Sequence, residues 1–513
     1  MNLLKKFILL QLKIKYLIMD YNTSDISVIR HKVKFTPDET KVITKFFEVD
    51  KVRIYKIFAR ILDLPDEKIK KLLAQVFNNF SHRHDNIKRI FKDNFERINS
   101  MLDITIYDDL SLEKKLLIGA YFTMEYSIES AALFNPSIVP HPNQKNLKAG
   151  QLKVIISFRA VGEGHMSSIV FQEGVVNKNG TIKMSPTSPL VEKAKIIPNV
   201  THSKKKYTLK LKDLGSYKYI EEIMNELLDE FTVKELDKSV ERFKKRINSS
   251  AANMSEVDRA IDALYWLVSS NYEIEFNDEH GVSERVIFPK ARTDVRAIED
   301  ARFVHFTDEN GTQRYYGTYT AYNGFSILPQ LIETKDFCRF KISTLLGSGS
   351  QNKGMALFPE KINGKYAMVS RNDNENLFIM FSDNIQYWEN PKLLKEPEFY
   401  WEFIQIGNSG SPIKTEKGWV LLTHGVGPVR TYTVSAILLD LDDPSKIIGV
   451  IEDPILIPEE SERNGYVPNV VYSCGALQHE NILVLPYAVS DSRSGIATLN
   501  MDDLLALMKP VQL

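Results

Sequence analysis

From residue 134 to about 490 the chain is written in short apolar runs cut by glycine, asparagine, aspartate and proline. Leu152 to Phe158 and Ser168 to Val176 flank the chain before a polar turn at Lys178-Asn179-Gly180. After residue 272 the grammar resumes in Ala301 to Phe306, Arg314 to Tyr322, Phe337 to Ser343, Lys365 to Val369, Leu377 to Phe381, Trp419 to His424, Thr433 to Leu439 and Ile482 to Tyr487. Many short strands with no alternating helices restrict the fold to a sandwich, a barrel or a propeller. No exact repeat is visible, but a weak recurrence is: a strand ends on a polar residue, turns, and resumes rich in aromatics. Propeller blades diverge to that level.

Two stretches depart from this pattern. From about 36 to 130 the apolar spacing is helical, as in Val42, Phe46 and Phe47, then Ile54, Ile57, Phe58, Ile61 and Leu62. Thr36-Pro37-Asp38-Glu39 reads as its cap, with a proline in the first turn and acids at the positive end. From about 216 to 270, YIEEIMNELLDEF, VKELDKSVERFKKRI and VDRAIDALYWLVSS each carry a 3.6-residue apolar stripe. The expected organisation is a tail and helical module over 1–130, then a β unit over 131–513 with a helical insertion at about 216–270. The opening MNLLKKFILLQLKIKYLIMD is basic and apolar, but Lys13 and Lys15 interrupt it and no small-residue cleavage site follows. It reads as a peripheral tail, with Met19 an alternative start.

The 66 basic and 66 acidic side chains cancel among 513 residues, so no basic field invites nucleic acid. Hydrophobic content of 43% and charged content of 26% suit a globular protein and disfavour coiled-coil, collagen-like or disordered classes. Cys338 and Cys474 cannot form a disulfide framework, which fits a reducing, cytoplasmic setting without membrane attachment. No metal site is supported, since His82-Arg83-His84 lacks a third ligand.

Three constellations could carry chemistry. In Ser157-Phe158-Arg159-Ala160-Val161-Gly162-Glu163-Gly164-His165 a strand delivers an arginine into a glycine-flanked Glu and His. Arg159 could fork onto a phosphate or carboxylate, and the glycines would let a ligand approach the backbone closely; a tight surface turn explains the same letters equally well. Glu299 and Asp300, followed by Arg302, precede an aromatic strand. Adjacent carboxylates on an extended chain face opposite ways, so one is the chemical candidate and the other a structural partner, unless both are ordinary surface acids. Lys353, Arg371 and His424 each stand at a strand edge. Singly they are solvated charges or a core histidine; with Arg159 they could hold an inorganic oxyanion if the architecture is circular.

FNPSIVPHPNQ, SFRAVGEGHMSSIVF, AIEDARFVHF, NKGMALFPEKINGKYAMVSR, GNSGSPIKTEKGWVLLTHGV, AILLDLDDPSKII and the stretch from DPILIPEESERNGYVPNVVY to VLPYAVSD together resemble glycoside hydrolase family 130. They cover roughly residues 134 to 495 in the family's order. The resemblance implies a mainly β fold, a five-bladed β-propeller, here with an N-terminal α-helical module and a helical insertion. It implies Asp300 as proton donor and Arg159, Lys353, Arg371 and His424 as the phosphate site. Asn135 and Asp491 match positions near the sugar pocket; Glu163, His165, Glu299, Arg302 and Tyr319 are further substrate-binding candidates, with Tyr322 and Tyr487 as walls of the glycone site. Ala301 in place of proline, and serine before Arg371 where histidine is frequent, mark a divergent branch.

The implied activity is an inverting, cofactor-free phosphorylase of glycosyltransferase type. It would use inorganic phosphate as co-substrate and mannose-containing oligosaccharides as partners, and release α-mannose 1-phosphate from β-mannosides. A phosphorylase needs one carboxyl plus a cationic cradle. A hydrolase on the same scaffold instead needs a second carboxylate about 6.5–9.5 Å from the first to activate water. Glu299 or Glu163 would be that base. A non-catalytic carbohydrate-binding propeller is the remaining alternative, and self-association into a homo-oligomer is open.

Overall fold

The computed structural model describes residues 24–102, 110–198, 200–213, 215–246, 254–289, 297–322 and 327–511. The tail reading of residues 1–20, with its alternative start at Met19, lies outside them. The chain is mainly β, and every apolar run named above falls within or overlaps an observed strand.

One sheet is built from both ends of the chain. Ile29–Phe35 pairs antiparallel with Arg493–Asn500, which pairs with Ile482–Val489 and onward to Val471–Tyr472. A second sheet runs through Gln405–Asn408, Gly418–Val426, Tyr432–Leu439 and Ile447–Val450, and a third through Ala356–Leu357, Tyr366–Ser370, Leu377–Ser382 and Lys392–Lys395. The largest contains Ala132–Pro140, Gln151–Val161 and Ser167–Asn177, joined through the single parallel pair Ala297↔Ser167 to Ala297–Thr307, Gln313–Tyr322, Ile327–Thr334 and Arg339–Thr344. Its neighbouring strands bury Ile155, Phe171, Phe303 and Ile332 in one apolar cluster, removing both faces of the hairpins from water.

Helices occupy Lys51–Leu62, Asp66–Phe80, Ile87–Leu102 and Leu112–Tyr121, packed on their own core of Phe58, Phe95, Ile98 and Leu117. The start of this region corrects the sequence reading. Val42–Phe46 is a strand, paired with Thr123–Ser127, and Thr36 to Thr40 forms the turn before it. Asp38 accepts hydrogen bonds from the backbone and hydroxyl of Thr40 and so closes a turn instead of capping a helix. The true cap is Asp50, which accepts from the Arg53 backbone. A partner strand eighty residues away decided the matter, which local periodicity cannot register. A second group of helices, Tyr217–Glu226, Val233–Arg246 and Met254–Ser269, is preceded by one more, Lys204–Asp213, where lysine-rich sequence hid the stripe. Among the described residues no helix is long and apolar enough to cross a membrane.

Candidate active site

Two register breaks aim the central side chains. Ala132–Pro140 loses register with Gln151–Val161 between Phe134 and Ser137, and Ala297–Thr307 loses register with Gln313–Tyr322 between Glu299 and Arg302. Asn135 and Asp300 occupy these breaks with left-handed backbone, φ 49° and 55°. Such residues leave the strict in-out alternation of a strand, at a conformational cost held by the surrounding sheet. Ser490 and Asp491, φ 47° and 50°, turn the chain in the same way just after Ile482–Val489.

These residues meet in a cavity of about 240 Å³. Asn135 Nδ2 donates to Asp300 Oδ1 at 2.5 Å, and an Arg159 guanidinium nitrogen lies 3.5 Å from the same oxygen. Glu299 bridges two cations, accepting from Arg159 at 2.9 Å and from Lys353 Nζ at 2.7 Å. Burial alone would raise the proton affinity of Asp300. The charges of Arg159 and Arg302, the Asn135 donor and Lys353 outweigh it and hold the carboxyl below its ordinary range. Asp491 goes the other way: burial, with the nearby charges of Asp300 and Glu299, pushes it up to about 6 against the pull of Arg159 and Arg430.

Arg302 is buried and fully engaged. It donates to Asn408 Oδ1 at 3.1 Å, to the Asp300 carbonyl at 2.9 Å and to the Tyr472 hydroxyl at 2.6 Å. It therefore braces the Asp300 break from within the wall of the same cavity. Asn408 in turn donates to the Gly354 carbonyl at 2.5 Å, which ties down the residue after Lys353.

His424 lines the same cavity. Burial, then the charges of Arg371 and Arg302, push its imidazole down to about 3, so it is neutral at physiological pH. A neutral ring whose Nδ1 donates to the Asn408 carbonyl, 3.0 Å away, leaves Nε2 as an acceptor. His424 thus belongs to the anion pocket as an acceptor for a hydroxyl or a protonated phosphate oxygen, not as a cation. Arg371 supplies positive charge instead. Its Nε is buried without a hydrogen-bond partner, and it forms no ion pair among the described residues.

The structure brings Asn135, Arg159, Glu299, Asp300, Arg302, Lys353, Arg371, His424 and Asp491 to one cavity. Five others stand elsewhere. Glu163 and His165 occupy an exposed turn beside the mouth, with the His165 ring 5.8 Å from that of exposed Tyr466. Tyr319 is buried in the apolar cluster beneath the largest sheet, because its strand position faces the neighbouring layer. Tyr487 donates to Glu462 at 2.6 Å, away from the cavity, and Tyr322 ends its strand outside the cavity wall.

Sequence reasoning missed Asn408, Arg430, Tyr432 and Tyr472, which complete the walls. Asn408 lies in the GNSGSP turn, where a glycine-flanked asparagine was the available signal. Arg430 follows Pro428 in a turn with φ 56° at both Val429 and Arg430, and only the fold shows that it points at the cavity's edge. Arg159, Arg302, Lys353, Arg371 and Arg430 face Glu299, Asp300 and Asp491, a cationic excess suited to an oxyanion beside a neutral ligand.

The sequence profile of glycoside hydrolase family 130, described as β-1,4-mannooligosaccharide phosphorylase, matches residues 268–510. A 1,2-β-oligomannan phosphorylase of Thermoanaerobacter sp. (strain X514) is 43% identical over 155 residues, 30% of this chain and 52% of that protein. A β-1,2-mannobiose phosphorylase of the same strain is 36% identical over 209 residues, 40% of this chain and 67% of the relative. The match thus spans about half the length of the first of these relatives and two thirds of the second. Among solved structures, the β-1,2-mannobiose phosphorylase of Listeria innocua in complex with β-1,2-mannobiose aligns with a TM-score of 0.43 at 22% identity, covering 75% of this chain and 93% of that one. This chain belongs to glycoside hydrolase family 130.

Proposed function

We propose that the chain is an inverting β-mannoside phosphorylase, a transferase that passes a mannosyl group to inorganic phosphate without a further cofactor. The observation that carries this reading is one braced acid, Asp300, set in a cavity with five cationic side chains. These neighbours keep the Asp300 carboxyl ionised. A phosphate dianion among Arg371, Arg430, Lys353 and Arg159 would offset the charges that hold its proton affinity down and so return it toward the protonated form. A phosphate oxygen then attacks the anomeric carbon from the face opposite the scissile bond. The glycosidic C–O bond breaks, and the Asp300 proton reaches the leaving oxygen, directly or through a sugar hydroxyl. The products are α-mannose 1-phosphate and the shortened acceptor.

The sheets support a five-bladed propeller as the frame. If the largest is divided at its single bridge Ala297↔Ser167, five sheets of four or more strands remain among the described residues beside two two-stranded pairs, and one of the five is shared by both chain ends. The domain division we favour is a tail and helical module over 1–130 and a propeller over 131–513 with a helical insertion. Two unpaired cysteines, Cys338 and Cys474, suit a cytoplasmic setting.

The test is incubation with mannose 1-phosphate and a panel of acceptor sugars, reading phosphate release beside Asp300→Asn. Release that needs both acceptor and Asp300 supports the proposal. A hydrolytic reading has one observation in its favour: Asp491, a second carboxyl with a pKa near 6 in the same cavity, could activate water. Free mannose formed from manno-oligosaccharides in phosphate-free buffer would select it.

A further inference from the structure

A second cavity, of about 600 Å³, lies between the turn before Val42, the segment leading into Ala132–Pro140, and the strand Ser167–Asn177. It shares no lining residue with the active-site cavity. Its inner wall holds three charged side chains that are almost completely buried: Glu129 at 5%, Lys41 at 6% and Arg285 at 5% exposure. Lys41 Nζ donates to the Ser188 carbonyl, and Arg285 reaches the carbonyls of Phe337, Asn277 and His280 but leaves its Nε without a partner. The Glu129 carboxyl accepts no hydrogen bond and makes no ion pair within 4 Å among the described residues; burial pushes its pKa up to about 8 against the pull of Lys41, which favours the neutral acid. Phe35 and Phe171 add apolar surface.

The lining argues for the ligand. Lys34, Lys41 and Arg285 face Asp38, Glu39, Glu129 and Glu284, so neither an anion nor a cation finds a field of one sign. An unpartnered carboxyl beside apolar carbon suits a neutral molecule with alternating hydroxyls and C–H faces. We propose that this cavity is a second carbohydrate site, which holds a neutral manno-oligosaccharide through Glu129 away from the reaction centre. The proposal rests on the reading of the chain as an enzyme of β-mannosides. Such a site raises the local concentration of substrate chains without touching the chemistry.

The experiment is calorimetric titration of the full-length Asp300→Asn protein with β-1,2-mannotriose and β-1,4-mannotriose. Two binding sites per chain are expected for one of them. Glu129→Leu, added to Asp300→Asn, removes one site or weakens it by at least about tenfold. Glu129→Gln retains it, because Gln keeps a donor and an acceptor. Melting curves check that Glu129→Leu is folded, because the change also removes a carboxyl that acts on the buried Lys41. Thr187→Trp, at an exposed position on the rim, gives an independent block. In the otherwise wild-type chain, Glu129→Leu and Thr187→Trp leave turnover of a short mannoside unchanged. A single site that survives both Glu129→Leu and Thr187→Trp overturns the proposal and, with turnover intact in the wild-type chain, leaves the active-site reading standing. Absence of both binding and wild-type turnover fails that reading and takes this proposal with it.

Discussion

Asn135 Nδ2 donates to Asp300 Oδ1 at 2.5 Å, and both residues hold left-handed backbone where their strands lose register. The pair therefore fixes the acid twice, through the side chain and through the sheet. Asn135→Gly keeps the backbone at ease but deletes the donor, so it should lower kcat by at least about tenfold with little change in Tm. Asn135→Ala should lose the same rate and also about 1 kcal/mol or more of stability, from its φ of 49°. Equal rates for both variants and wild type would remove Asn135 from the machinery.

Asp300→Asn should lower phosphate release by about 10²–10⁴-fold, the usual worth of a general acid, while the folded protein still binds mannoside. Arg159 remains paired with Glu299 in that variant, so no charge is stranded. A rate within tenfold of wild type would remove Asp300 from the donor role.

Arg371→Ala should raise KM for phosphate more than it lowers kcat, because Arg371 makes no ion pair that positions another catalytic group. Arg159→Ala should damage both parameters, since it also releases Glu299 and Asp300. An apparent phosphate affinity unchanged by Arg159→Ala would refute the anion-site assignment.

Asp491 carries a pH signature. Its folded pKa, near 6, exceeds the ordinary 3.8, so between those values the folded state binds more protons than the unfolded chain. Stability contributed at this position is present below about pH 4 and lost as pH rises through 6. Asp491→Asn should therefore raise Tm at pH 7 and bring no gain at pH 3.5, with an upper bound of about 3 kcal/mol at the higher pH. Melting curves across pH 3.5–8 check this, and a gain that is the same at every pH would contradict it.

Gly407 guards the histidine. A Cβ added there would lie 2.5 Å from the His424 ring, so Gly407→Ala should displace the imidazole, cost about 1–3 kcal/mol and lower phosphate affinity. An unchanged Tm together with an unchanged phosphate KM would show that the ring can move without consequence.

Much of this was legible in the letters. Apolar runs at strand length mark the β scaffold, and amphipathic stripes mark the helices at 217–269, because both signals are local periodicities. Val42–Phe46 escaped because its apolar residues pair across to Thr123–Ser127, and a five-residue run fits either period. Tyr319 and Tyr487 were aromatic in promising strands, yet which face of a strand looks into a cavity depends on the layers stacked against it.

By itself, then, the sequence determined the mainly β class, the helical stretches, the family, and the residue types able to handle a mannoside and an oxyanion. The tertiary structure alone decided how those residues behave. Asn135 meets Asp300 across 165 positions, Arg302 is tied to Asn408 and Tyr472 in the cavity wall, and Arg430 joins the same wall. His424 loses its charge because burial and two neighbouring guanidiniums penalise the cation, and Asp491 gains proton affinity because it is buried beside other carboxylates. Burial and Coulomb interaction act between groups that are close in space, and the order of residues along the chain does not encode those distances directly.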